Sequence, residues 1–245
     1  MFKKLLYLQF TITSVLVAVL GMAGFAILLI DFQAPGTFKA FYVFRGGMPL
    51  NFLLLLLFGF QHSIMARRSF KNAMKRFFPI ELERSVYVMA SGFVLMVMAA
   101  LWSPSHPPLY DLRGEWSGYL LSGLAFLGIP ILFIAGQAFD VWDLFGVRSV
   151  LRILQNQKPE LEPLKTPKIY RMVRHPLYLG MLFIFWFTPA MTHDHLFFAE
   201  VMTAYILLGI QFEEADLVRN YGESYRKYQR EVPMLLPFWP KKKKG

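Results

Sequence analysis

No cysteine occurs in the 245-residue chain, so neither a disulfide framework nor a thiolate metal site is open to it. Charge is the second shortage. Asp, Glu, Lys and Arg supply 17% of the residues, against about 25% in soluble domains. Histidine is also sparse. His62, His106, His175, His193 and His195 are scattered and form no metal-ligand spacing. There is no internal repeat, and low complexity is confined to the lysine run at 241–244. What remains is apolar: 56% of the residues are hydrophobic. That composition indicates a membrane protein, and the length fits one compact domain over 1–245.

The net charge of +10 raises nucleic acid as a partner. The distribution of that charge excludes it, because the basic residues lie between apolar runs, as in multi-spanning membrane proteins. Six such runs can be drawn, at 8–30, 49–65, 85–102, 117–139, 177–192 and 195–212. About 20 helical residues cross a bilayer, so the second, fifth and sixth runs are short. Either they tilt, or the last two form a hairpin that stops before crossing fully. The first run is too long for the apolar region of a signal peptide, about 7–15 residues, and reads as a span. Of the 26 Lys and Arg residues, only Lys39, Arg45 and Arg113 fall in the loops of one side. Positive residues stay cytoplasmic, so the expectation is a multi-pass cell-membrane protein with both termini in the cytoplasm and six crossings. The fold class is all-α: about six apolar helices, the last two a hairpin, then a cytoplasmic amphipathic helix. Membrane lipids are partners by composition. The lysine tail reads as solvated, with attraction to anionic lipid as the alternative. Oligomeric state is not legible.

Polar signals concentrate at the two ends of the last hairpin. Arg174-His175-Pro176-Leu177-Tyr178-Leu179-Gly180 opens the fifth run, and Glu213-Glu214 closes the sixth. The hairpin turn at Thr192-His193-Asp194 returns both ends to one side. Ionisable groups near hydrocarbon need partners, so this pairing points to a site. Pro176 suits the first position of a helix, whose free N–H groups attract an anion. Leu217, Tyr221, Tyr225 and Tyr228 fall on one helical stripe, expected to lie on the membrane or to cover the hairpin mouth, with Gly222 a potential break.

The ordered set Arg-His-Pro-x-Tyr-x-Gly, Glu-Glu-x-x-Leu, Tyr221-Gly222-x-x-Tyr225-x-x-Tyr228 and Val232-Pro233 resembles the isoprenylcysteine carboxyl methyltransferase and phospholipid methyltransferase superfamily. The likeness is strongest over 137–237. In the front half, Gln61-His62-Ser63-Ile64-Met65-Ala66-Arg67 and Glu83-Arg84-Ser85-x-Tyr87-Val88 resemble the bacterial methanethiol S-methyltransferases within it. The resemblance implies an integral membrane enzyme using S-adenosyl-L-methionine, with the cofactor-binding part at about 137–237. It carries cofactor contact onto Gln137, Tyr170, His175, Pro176, Tyr178 and Glu213, and onto Leu164 in a loop that departs from the family's motif. Arg174, Leu177, Gly180 and Glu214 complete the expected cofactor-binding set. In the prenylcysteine branch an arginine stands four residues before the first glutamate; here that residue is Gly209. The departure favours a small thiol as acceptor, most of all methanethiol giving dimethyl sulfide. Such a thiol must lose its proton to attack. Candidates to take it are His62, Asp140 and Asp143, each with a bland alternative, a packed polar neighbour for the histidine and ion pairs for the two aspartates. A phospholipid, isoprenoid or prenylcysteine acceptor stays open, and so does a non-catalytic membrane transporter.

Overall fold

The structure, a computed structural model, describes residues 2–38, 46–155 and 167–237. In chain order the elements are α1 (Phe2–Gln33), α2 (Gly47–Ala66), α3 (Arg68–Met74), α4 (Glu83–Leu101), β1 (Tyr110–Asp111), α5 (Trp116–Gly136), α6 (Val141–Leu144), α7 (Val147–Leu154), α8 (Pro176–Trp186), β2 (Ala190–Met191), α9 (His193–Tyr221) and α10 (Glu223–Glu231). Among the described residues, five helical stretches are long and apolar enough to cross a membrane: α1, α2, Ile80–Leu101 containing α4, α5 and α9. Large apolar side chains such as Leu16, Leu53, Phe93, Phe126 and Phe133 are exposed along them, as lipid-facing surfaces are. The chain is a polytopic, all-α membrane protein.

Contacts divide the chain into two compact units, one of Met1–His106 with Phe139–Pro163, the other of Pro107–Ala138 with Leu164–Gly245. In the first unit α1 packs along α4 through small residues. A Cβ on Gly21 would lie 2.1 Å from the Gly92 carbonyl oxygen, so these backbones touch. Close approach through small residues is how helices associate where lipid removes the hydrophobic drive. Buried polar pairs fix the register. Thr11 and Ser85 share a 2.9 Å hydrogen bond. The Asn51 amide of α2 donates to the Ser103 carbonyl at 2.8 Å and accepts from the Ser103 N–H at 2.9 Å.

In the second unit α8 lies against α5. Helix α8 has 11 residues and so is about 16 Å long, half of the roughly 30 Å hydrocarbon core. The expected fifth span is therefore helical only in its first part. Beyond Trp186 the chain runs extended to β2, which pairs antiparallel with β1 just ahead of α5. At the other end, the Tyr170 hydroxyl donates to the Ala135 carbonyl at 3.3 Å. The stretch from Tyr170 to Met191 thus accompanies α5, as helix over Pro176–Trp186 and as non-helical chain ending in the two-residue β2. Irregular backbone at membrane depth survives only where its polar groups are paired. Here the Leu109 and Leu112 N–H groups donate to the Met191 and Pro189 carbonyls at 2.6 and 2.7 Å. His195 Nε2–H donates to the Phe185 carbonyl at 2.8 Å.

Helix α9 starts on the Thr192 cap, whose hydroxyl accepts from the His195 N–H. It runs well past the expected end at 212. The 20 residues from His193 to Phe212 rise about 30 Å, the thickness of a hydrocarbon core, and Glu213 and Glu214 follow directly after them. Gly222, at φ +57 and ψ −131, separates α9 from α10. The expected single stripe is thereby divided: Leu217 and Tyr221 sit on α9, Tyr225 and Tyr228 on the nine-residue α10.

Candidate active site

The sequence signals at the hairpin ends meet in the second unit. His175 stands at the N-cap of α8, with Pro176 at its first position, and is 5% exposed. Leu179 N–H makes the first bond of this helix, to the His175 carbonyl at 3.1 Å, so the N–H of Leu177 has no acceptor within the helix. Glu213 and Glu214 project from α9 on successive residues, about 100° apart around the axis. That rotation gives them different surroundings.

Glu214 is the inner carboxylate. Arg174 Nε donates to its Oε1 at 2.7 Å and Arg174 Nη2 to its Oε2 at 3.3 Å. His175 Nε2–H donates to Oε1 at 2.9 Å, and Gln229 of α10 donates to Oε2 at 2.8 Å. The Arg174 and Glu214 side chains are only 11% and 14% exposed. Arg174 also donates through Nη1 to the Gln229 and Val232 carbonyls at 3.0 and 2.6 Å, a cation closing the carbonyl end of α10. The backbone follows suit: Arg174 N–H donates to the Pro233 carbonyl and His175 N–H to that of Met234. The Val-Pro signal is therefore a strap laid across the start of α8. Gln229 was not singled out from the sequence; its place, three residues before Val232 on the inner face of α10, is the signal that would have found it.

Glu213 is the outer carboxylate, with a side chain 45% exposed. Its Oε2 accepts from the Tyr178 hydroxyl at 3.1 Å and lies 3.7 Å from His175 Nδ1. Among the described residues, no donor reaches Oε1. Tyr178 stacks on His175, with ring centroids 5.7 Å apart. Tyr228 donates its hydroxyl to the Tyr170 carbonyl at 2.6 Å and packs on Tyr225 at 5.7 Å. Burial, with the charge of Glu213 adding to it, pushes the Tyr170 phenol up to about 12. Burial also raises those of Tyr225 and Tyr228. These phenols stay protonated donors at any physiological pH.

The other expected residues fall as follows. Gln137 is exposed at the C-cap of α5. Gly180 is buried against α5, where a Cβ would lie 2.9 Å from the Gly128 carbonyl oxygen. Leu164 lies outside the described residues. His62, Asp140 and Asp143 all belong to the first unit. A ring nitrogen of His62 is 2.9 Å from the Tyr87 hydroxyl, and the ring stacks on Phe58. This contact joins the two front-half motifs. Asp140 caps α6 by accepting from the Trp142 and Asp143 N–H groups, and pairs with Arg148. Asp143 pairs with Arg84 at 3.2 Å. Around Gly209, Ile206 and Ile210 are buried while Leu207 and Leu208 face outward, so the four do not line one surface.

Comparison with known proteins decides the family. The chain is 44% identical over 185 residues to a methanethiol S-methyltransferase of a Pseudomonas strain, covering 76% of this chain and 71% of that protein. It is 40% identical over 192 residues to the methanethiol S-methyltransferase of Mycobacterium tuberculosis, covering 78% of each. The chain belongs to the methanethiol S-methyltransferase family. Bovine Nurim is more distant, 31% identical over 183 residues, with 71% of this chain and 69% of Nurim covered. No family model and no solved structure matches the chain. The methanethiol S-methyltransferase family is one of enzymes, so the chain is a methyltransferase rather than a transporter.

Proposed function

We propose that this methyltransferase moves a methyl group from S-adenosyl-L-methionine to methanethiol, giving dimethyl sulfide, at the cytoplasmic face of the cell membrane. One observation carries the cofactor reading: Glu213, a half-exposed carboxylate with one oxygen engaged by Tyr178 and the other open. Such an oxygen accepts the hydrogen bonds of an amine or a ribose diol. Beside it, the first turn of α8 at Pro176 and Leu177 suits the cofactor's carboxylate, and Gln137, Tyr170 and Tyr178 complete the wall. Arg174 and Gly180 serve this site by holding backbone in place. When bound, the cofactor supplies a methyl group on a cationic sulfur, whose carbon–sulfur bond breaks as the acceptor's sulfur bonds to that carbon. The residues' part is to align the partners and exclude water, since charge is neutralised as the bond forms.

For the acceptor, the family supplies the class and Gly209 agrees with it. Among the described residues, a Cβ there would meet nothing within 4 Å, so a longer side chain has room and its absence leaves no carboxylate anchor. Of the three candidate bases, His62 fits best: its ring bonds a phenol, whereas Asp140 and Asp143 are ion-paired anchors of the α6–α7 segment. The test is methyl transfer by the purified protein to methanethiol, a prenylcysteine and phosphatidylethanolamine. Dimethyl sulfide from the first is expected, at a rate rising with pH as the thiol ionises, with the rise flattened in His62→Gln. Turnover of the prenylcysteine or the lipid alone would place the chain in the lipid-methylating branches.

A further inference from the structure

A carboxylate offers about four lone-pair positions, and Glu214 has four donors on it: two from Arg174 and one each from His175 and Gln229. It has no capacity left for a ligand. Glu213, one residue earlier, receives the Tyr178 hydroxyl alone among the described residues. The adjacent glutamates therefore have different work.

An ionised carboxylate only accepts, so the 2.9 Å contact with Glu214 requires the proton of the His175 ring on Nε2. The ring plane is fixed by the stacked Tyr178 and the backbone by the bond to the Met234 carbonyl. With Nε2 committed inward, the Nδ1 edge is the one presented beside Glu213, at 3.7 Å. We propose that Glu214 is a positioning residue: clamped by Arg174 and Gln229, it sets the tautomer and orientation of His175, so that the cofactor meets the Nδ1 edge beside Glu213. The inference rests on the cofactor reading above and assigns Glu214 a role behind the contact surface rather than on it.

The experiment uses the full-length protein labelled with ¹⁵N at histidine. Five histidines make the spectrum tractable, and His175→Gln identifies the His175 signals. At alkaline pH, the parent should show a single Nε2–H tautomer at His175. Glu214→Gln replaces one acceptor oxygen by an amide donor, so His175 should shift toward the Nδ1–H form. The dissociation constant for S-adenosylhomocysteine should rise at least tenfold, with KM for methanethiol unchanged. Gln229→Ala keeps the His175–Glu214 bond but releases one clamp, and should weaken the same binding to a lesser degree; it serves if Glu214→Gln does not fold. Loss of binding in Glu214→Gln with an unaltered tautomer would mean direct contact and overturn the proposal. An altered tautomer with unchanged binding would overturn it too. Failure of the parent itself to bind S-adenosylhomocysteine would instead overturn the cofactor reading.

Discussion

Gly128 and Gly180 meet backbone to backbone: a Cβ on Gly128 would lie 2.5 Å from the Gly180 carbonyl oxygen. Neither backbone can yield without separating α5 from α8. Gly128→Ala and Gly180→Ala should each destabilise the protein, by about 1–3 kcal/mol, as overpacking does. The measure is a lower melting temperature in detergent, with activity lost in proportion to the folded fraction. Stability equal to that of the parent would show that the two helices part freely.

The Arg174–Glu214 pair is nearly buried, and Arg174 also holds the carbonyl end of α10. Removing one partner of a buried ion pair costs about 3–5 kcal/mol, because it strands the other charge. Arg174→Met should therefore cut stability by that order and expose the chain near 223–235 to proteolysis. Arg174→Lys, which offers a point charge instead of a fork, should recover only part of the loss. A strap as protease-resistant in Arg174→Met as in the parent would contradict the clasp.

Glu213 is the residue for which the largest binding loss with the least structural damage is expected. Losing a hydrogen bond to a charged group costs about 1.5–3 kcal/mol, roughly 10- to 150-fold in affinity. Glu213→Gln should weaken S-adenosylhomocysteine binding within that range by calorimetry, at an unchanged melting temperature. Tyr178→Phe removes a neutral donor from the same carboxylate and should cost less, under about tenfold. Equal affinity in both variants would remove Glu213 from the site.

The α8 segment also bears on topology. Helix α8 alone is too short to cross, and the topology expected from the charge asymmetry needs a sixth crossing here, completed by the chain beyond Trp186. Reporter fusions at Lys4 and after Pro237 should therefore both report the cytoplasm. A periplasmic signal from the C-terminal fusion would mean five crossings.

The sequence by itself determined the class of the molecule and marked the residues proposed to carry its chemistry. Shortage of charge, the apolar runs and the lysine and arginine asymmetry depend on transfer between water and lipid, which composition and order encode directly. The motif residues at the hairpin ends were legible too, because ionisable groups beside apolar runs are rare. Only the tertiary structure decided how the work is divided among them. Glu213 and Glu214 are identical in sequence terms; the helical rotation between them places one toward Arg174, His175 and Gln229 and the other outward. The helix boundary inside the fifth apolar run was equally hidden. An apolar run satisfies lipid whether helical or extended, and what pairs the stretch beyond Trp186 is a distant partner, the segment around β1, whose Leu109 and Leu112 N–H groups donate to its carbonyls. The break at Gly222 was legible as a glycine; only the fold decided that α10 turns back onto Tyr170 and Glu214. Long-range hydrogen bonding, which no local pattern encodes, decided these arrangements.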